Sequence, residues 1–345
     1  MDYFIEQLTP FIFGLPWLGK EDCKLQRFPT SALPSLTEAM QMLSRHTAGG
    51  VIRFQSRTEV IGLEMNRDPE PLMWGFSSQG QHGIDVYCDG RFYGSLQTDE
   101  GYQNKWIQTD DSQVHEYAVY LPTYSPLEII TLSVYGEYES KEGDDVEIEK
   151  PRDYKVPGKI VVYGSSITQG AFASRPALAY PARLSRELDA EVVNLGFAGS
   201  GKGEHEVSDL LADIQDVSLY ILDWGANIAA DPADYEKIQE RYPYMLEKIK
   251  ENHPKTPILF INIQAFLQEK NDEFFRKGFK LARETIKDNY EQELSKGTRC
   301  EYLEGSDIVG YDEMDLTVDG CHCNDMGFDR YVRAIVPAAK RLLDL

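Results

Sequence analysis

The sequence is short of positive charge. Its 345 residues include 35 Lys and Arg against 57 Asp and Glu, a formal net charge of −22 at pH 7. Nucleic acid is held mainly by cations that displace its counterions, so this balance argues against a nucleic-acid partner. It argues against an anionic membrane surface for the same reason. Cysteine is also scarce: five residues, unevenly placed, do not make a disulfide framework, and an odd number fits a reducing compartment. No run approaches the ~18 apolar residues that a membrane span needs. Between Met1 and Trp17 the patch Phe11-Ile12-Phe13 follows Asp2 and Glu6, with no basic stretch before it. That is unlike a secretory leader, and a soluble, cytoplasmic protein is expected. Repeats and low-complexity tracts are absent. With 42% apolar residues and only 27 Gly and 17 Pro, the composition is that of a folded globular protein. At roughly 150 residues per domain, two domains are expected.

The two halves of the chain have different periods. Between Gly50 and Tyr138 apolar residues alternate or come in short runs, as in Val51-Ile52-Arg53-Phe54, Val60-Ile61-Gly62-Leu63, Tyr117-Ala118-Val119-Tyr120 and Ile129 to Tyr135. Such β-branched and aromatic segments read as antiparallel strands of a sandwich. Gly83 to Cys88, then Asp89-Gly90, then Arg91 to Leu96 predict a tight hairpin. Leu36 to Arg45 is the one short helix expected here. A charge run from Glu137 to Arg152 reads as a solvated connection, placing the domains at 1–150 and 151–345. Beyond it, strands at Lys159 to Tyr163, Glu191 to Leu195, Leu219 to Asp223, Ile258 to Ile263 and Cys300 to Leu303 alternate with helices. Those helices are expected at Leu178 to Leu188, Glu204 to Leu211, Pro232 to Asn252, Glu269 to Leu294 and Asp325 to Leu343. Strict alternation implies a parallel sheet with helices on both faces, whose ligands bind beyond the carboxyl ends of the strands.

The strand ends therefore carry the functional information. The first runs into Gly164-Ser165-Ser166-Ile167-Thr168-Gln169-Gly170, a turn that can cradle a phosphate or display a nucleophile beside oxyanion donors. The phosphate reading is weakened because no Lys occupies the position of a GK[ST] motif. An ordinary capped turn has the same residues. The second continues as Gly196-Phe197-Ala198-Gly199-Ser200-Gly201, where backbone can approach a ligand closely. The third continues as Trp224-Gly225-Ala226-Asn227, which sets an amide after the strand. Near the end of the chain, Asp319-Gly320-Cys321-His322 places a carboxylate within one turn of an imidazole, as in the acid and base of a hydrolytic triad. A hydroxyl, a glycine N–H, an amide and an Asp-x-x-His at one sheet edge are what acyl transfer requires.

These four blocks, in this order over residues 157–345, resemble those of the SGNH (GDSL) hydrolases. The resemblance implies a three-layer α/β/α, flavodoxin-like domain with Ser166 as nucleophile and Asp319 and His322 as acid and base. Ser166, Gly199 and Asn227 would form the oxyanion hole. Ser165 stands where the Gly-Asp-Ser-Leu form has Asp, in a pattern similar to carbohydrate-acetyl-esterase-like members. Ile228 stands where many members have Asp after the Asn. Gly83-Ile84-Asp85-Val86-Tyr87 is similar to the Gly-x-Asp-Leu-Tyr motif of a jelly-roll-like β-sandwich fused to some SGNH enzymes. The implied activity is hydrolysis of a short-chain, mainly acetyl, ester of a carbohydrate or similar alcohol, on a small-molecule or oligosaccharide substrate, without cofactor or metal. A homo-oligomer is compatible with it. Acyl transfer by the same triad, or a silent glycan-binding protein, are the alternatives. A metal at Cys321-His322-Cys323 is disfavoured because adjacent side chains diverge. Arg175 is read as either a substrate contact or half of a salt bridge. Trp74 and Trp106 are read as either a sugar platform or sandwich core.

Overall fold

The computed structural model describes residues 1–22, 24–109, 113–136 and 146–345. The first part of the charge run, 137–145, and Cys23 lie outside them. The first part of the chain supplies strands β1 (Asp2–Phe4), β2 (Ile12–Phe13), β3 (Val51–Ser56), β4 (Val60–Arg67), β5 (Ile84–Cys88), β6 (Arg91–Leu96), β7 (Gly101–Gln108), β8 (His115–Tyr120) and β9 (Glu128–Tyr135). They form a four-stranded sheet, β1-β9-β4-β7, and a five-stranded sheet, β2-β3-β8-β5-β6, both antiparallel. Alternation explains the pairing. Ile61, Leu63, Leu132 and Val134 of the first sheet share one core with Ile52, Phe54, Ile84, Val86 and Val119 of the second. The alternate positions point to the opposite faces, where Val51, Tyr87 and Tyr120 of the second sheet are buried with Ala177. The predicted hairpin is present, with Asp89 and Gly90 both at positive φ, 47° and 75°, as a two-residue turn between twisted strands requires.

The second part supplies β10 (Val156–Gly164), β11 (Ala190–Gly196), β12 (Val217–Asp223), β13 (Ile258–Ile261) and β14 (Cys300–Leu303), in the order β11-β10-β12-β13-β14. All neighbours are parallel. Ile160 to Val162, Leu219 to Leu222 and Ile258 to Phe260 are fully buried, consistent with helices covering both faces. The long helices span Tyr180–Leu188, His205–Ala212, Ile238–Asn252, Glu273–Ser295 and Asp325–Leu343. Two start later than expected, because Tyr235–Lys237 and Leu267–Lys270 are 3₁₀ turns. Among the described residues no helix is long and apolar enough to cross a membrane.

The chain changes direction at β10, with β11 on one side and β12 on the other, which opens a crevice at the carboxyl end of the sheet. Register aligns the three ends, since Gly164 pairs with Gly196 and with Asp223. The α/β core also takes side chains from far upstream. Trp17, Phe28, Leu36, Met40 and Leu43 are buried in the same cluster as Val162, Leu195 and Phe197.

Candidate active site

Immediately after β10, Ser165 caps the short helix Ser166–Gln169, its hydroxyl accepting the Ile167 N–H at 3.2 Å. The residue that departs from the Gly-Asp-Ser-Leu pattern is thus doing the work of an N-cap. The turn is tight because Gly164 and Gly196 let backbone pass close. A Cβ on Gly164 would lie 1.9 Å from Thr168 Oγ1, and one on Gly196 would lie 2.1 Å from the Gln169 nitrogen.

Ser166, at the start of that helix, meets residues from the other end of the chain. Its Oγ is 2.8 Å from His322 Nε2, and His322 Nδ1 is 2.7 Å from Asp319 Oδ2. The bonds set the tautomer: Nδ1–H donates to the carboxylate and Nε2 accepts from the serine hydroxyl. Asp319 also accepts the backbone N–H groups of Cys321 at 3.0 Å and His322 at 2.7 Å through Oδ1. Its partial burial works to raise its pKa, but these bonds and the adjacent imidazole outweigh burial and hold it below the usual aspartate value. The loop is pinned from behind by Gln264, just past β13. Gln264 donates to Cys321 O at 2.6 Å and accepts from the Tyr331 hydroxyl at 2.9 Å.

The two other blocks close the opposite side. Gly199, at φ 66°, has open space where a side chain would be. Among the described residues neither its N–H nor that of Ser166 has an acceptor. Asn227, inside the short helix Ala226–Ala229 that follows Gly225, gives one Nδ2 hydrogen to Phe197 O at 3.0 Å; Gly201 O is farther off, at 3.5 Å. Ile228 is fully buried, so a carboxylate in its place would be desolvated at a cost. The structure therefore brings together all five residues singled out from the sequence, Ser166, Gly199, Asn227, Asp319 and His322. All of them line one cleft of about 490 Å³.

Further residues hold the glycine loop, and sequence pattern gave no signal for them. Gln169 is fully buried. It accepts the Ala198 N–H at 3.0 Å and donates to Thr123 O at 2.9 Å, with His46 Nδ1 3.1 Å away. Arg27, also fully buried, bonds Gly196 O and Leu43 O, and its guanidinium lies 4.1 Å from the Phe197 ring centroid. Burial pushes its pKa down to about 9. Asp223, which accepts Thr168 and Tyr180 hydroxyls at 2.9 and 2.8 Å, is pushed up to about 7 by burial against those bonds. It lines a cavity of about 10 Å³, room for one water at most.

Other expectations separate here. Cys323 is buried and directs its thiol to Gln264 Oε1 at 3.4 Å, but the expected divergence of adjacent side chains does not hold for Cys321 and His322. Asp319, Cys321 and His322 do have ligand-type atoms within 4.8 Å of one another. Burial pushes the Cys321 thiol well up, however, and both His322 nitrogens are engaged, so the set is poorly suited to a cation. Arg175 is a salt bridge: Nη1 reaches Asp85 Oδ2 and the Tyr87 hydroxyl, each at 3.1 Å. The same Asp85 oxygen accepts the Ala177 N–H at 2.9 Å. Asp85 and Tyr87 share one face of β5 while Ile84 and Val86 fill the sandwich core, so the motif clamps the segment after the turn that carries Ser166. The core reading of two tryptophans is corrected. Trp74 and Trp106 are 79% and 57% exposed, and Trp74 lines the active cleft with Met73, Phe76 and Tyr124 of the sandwich half.

Residues 158–340 match the GDSL-like lipase/acylhydrolase family, and residues 6–139 match the GxDLY N-terminus of SGNH-type esterases. No curated protein matches at a significant level. Among solved structures, a chain from Bacteroides ovatus ATCC 8483 described as a GDSL-like lipase has 30% identity and a TM-score of 0.84 over 100% of this chain and 98% of that one. The salicylyl-acyltransferase SsfX3 of a tetracycline biosynthetic pathway has 17% identity and a TM-score of 0.85, covering 99% and 97%. The acetyl xylan esterase Est2A of Butyrivibrio proteoclasticus has 11% identity and a TM-score of 0.64, covering 100% and 99%. By its sequence, its fold and a full-length relative, the chain belongs to the GDSL-like lipase/acylhydrolase family, with an N-terminal β-sandwich of the GxDLY type.

Proposed function

We propose that the protein is a serine esterase that cleaves a neutral carboxylic ester through an acyl-enzyme on Ser166. The observation that carries this reading is the unbroken chain Ser166 Oγ, His322, Asp319, at 2.8 and 2.7 Å. Ser166 Oγ attacks the carbonyl carbon while its proton passes to His322 Nε2. Asp319 holds the imidazole in the tautomer that can accept it and stabilises the imidazolium. The oxyanion meets the N–H groups of Ser166 and Gly199 and the Asn227 amide. As the bond to the alcohol oxygen breaks, His322 returns the proton to the leaving group. Water, deprotonated by the same imidazole, then releases the acid and restores the serine.

The finer expectation from sequence is an acetyl group on a carbohydrate, and the shared fold of Est2A is compatible with it. A second reading, transfer of the acyl group to an alcohol other than water, uses the same triad. The apolar lining of the cleft favours it, because an acyl-enzyme screened from water outlives one that is not. The test is turnover of 4-nitrophenyl acetate by the wild type and by Ser166→Ala, with labelling by a serine-directed phosphonate. Loss of both in the variant supports the assignment. Unchanged turnover by Ser166→Ala sinks it.

A further inference from the structure

The cleft has few groups with which to hold a sugar. Of the polar side chains lining it, Ser166, Asn227, Asp319 and His322 are assigned to the chemistry. Ser165 caps a helix, and the Tyr124 hydroxyl is bonded to Ser166 O at 3.1 Å. Among the described residues, Gln268 and Cys321 are what remains for substrate hydroxyls, and no Lys or Arg lines the cleft. A pyranose buried there would leave most of its hydroxyls unpaired, each at a cost.

What the cleft offers instead is aromatic surface beside the imidazole. The Phe172 ring lies 5.3 Å from that of His322, 4.6 Å from Phe76 and 6.5 Å from Trp74. Phe172 takes φ 63°, a conformation that a bulky residue adopts only under constraint and that clusters at functional sites. Outside it, Leu72, Met73 and Trp74 are consecutive and 56%, 43% and 79% exposed. Contiguous exposed apolar side chains of this kind mark a binding surface, and this one runs directly into the cleft through Met73 and Trp74. The volume of about 490 Å³ is that of a site for a whole small molecule.

We propose that the substrate is an uncharged ester bearing an aromatic or comparably bulky apolar group, which lies against Phe172 and Trp74, and that these two residues set a preference for such esters over sugar acetates. The proposal rests on the esterase reading above. Because the wall flanks His322, which serves the leaving oxygen, the group can belong to the alcohol; because it also borders Ser166, it can belong to the acyl part. The substrate panel separates these two arms.

The experiment compares kcat/KM for ethyl acetate, benzyl acetate, ethyl phenylacetate and glucose pentaacetate. Benzyl acetate or ethyl phenylacetate is expected to exceed ethyl acetate roughly 10- to 100-fold, the gain from burying a ring, and the better of the two identifies the side that carries the group. Trp74→Ala and Phe172→Gly, the latter tolerant of the positive φ, are expected to bring that ratio to within about threefold. Trp106→Ala, on the exposed face of β7, is the control that leaves it unchanged. Equal rates on all four esters, a preference for the pentaacetate, or a ratio that survives both variants would overturn the proposal. Calorimetric binding to Ser166→Ala separates the two levels of inference. Tighter binding of benzyl acetate than ethyl acetate, lost on adding Trp74→Ala, supports the apolar site even if no ester is turned over through Ser166. Indifference between the two ligands sinks it even if the esterase reading stands.

Discussion

Asp319 makes three hydrogen bonds to two successive residues, and only one of them is to the imidazole. Asp319→Asn would keep the loop's outline while presenting an N–H where His322 Nδ1–H must donate. A fall in kcat of up to about 10⁴ with KM little changed is expected, measured on an aryl acetate by steady-state kinetics. Asn227→Ala removes both the proposed oxyanion donor and the clamp on Phe197 O, and a loss of about 10² to 10³ in kcat is expected. Asp223 gives a pH signature. Its pKa is raised in the folded state from an ordinary 3.8 to about 7, so folding favours the protonated form. The stability it contributes is complete below about pH 4 and declines as pH rises to about 7. Urea unfolding at pH 4.5, 6 and 8 is expected to show the wild type losing stability relative to Asp223→Asn over that interval. Parallel curves would refute the assignment.

Among the elements, the loop from Gly196 to Gly203 depends most on its surroundings. It supplies the Gly199 N–H, yet it is held by Gln169, Arg27 and Asn227, none of which it contains. Gln169→Leu would strand the Ala198 N–H and Thr123 O, at about 1 to 3 kcal/mol each. The accompanying signature is a fall in kcat without a matching rise in KM, since the loop's donors act on the transition state. Equal loss in both parameters would make Gln169 merely structural. How much of this could be read from sequence follows from local pattern. The inner strands of the parallel sheet carry continuous apolar runs, such as Ile160 to Tyr163, Leu219 to Leu222 and Ile258 to Ile261, so they and the residues after them were legible. The alternation with helices placed β11 and β14. β7 was not, because Tyr102, Asn104, Lys105, Gln103 and Gln108 dilute its alternation. The helix Leu36 to Arg45 was close to the observed Glu38–Ser44. Gln169, Arg27 and His46 act through tertiary contacts between segments far apart in sequence, which no spacing rule encodes. Trp74 was visible only as an aromatic of unknown placement.

As a whole molecule, the sandwich and the α/β half are joined by more than a linker. Asp85 holds Arg175 and Ala177, Gln169 holds Thr123, and Phe28 stacks on Phe197 with ring centroids 4.9 Å apart. A single cooperative thermal transition is therefore expected by calorimetry for the full chain, with residues 151–345 alone failing to give one, because their core lacks Trp17, Phe28 and Met40. Two separate transitions would contradict this. Phe28→Ala is expected to lower the stability of that one transition by about 3 to 5 kcal/mol.

The position of Trp74 has a consequence for how such an enzyme diversifies. The proposed nucleophile, acid and base and oxyanion donors are encoded after residue 160, whereas Met73, Trp74 and Phe76 are encoded some way before them. Substitutions that reshape what enters the cleft need not fall in the stretch that performs the bond cleavage. Selectivity can then drift, or be engineered, in a segment whose most exposed member supports no core.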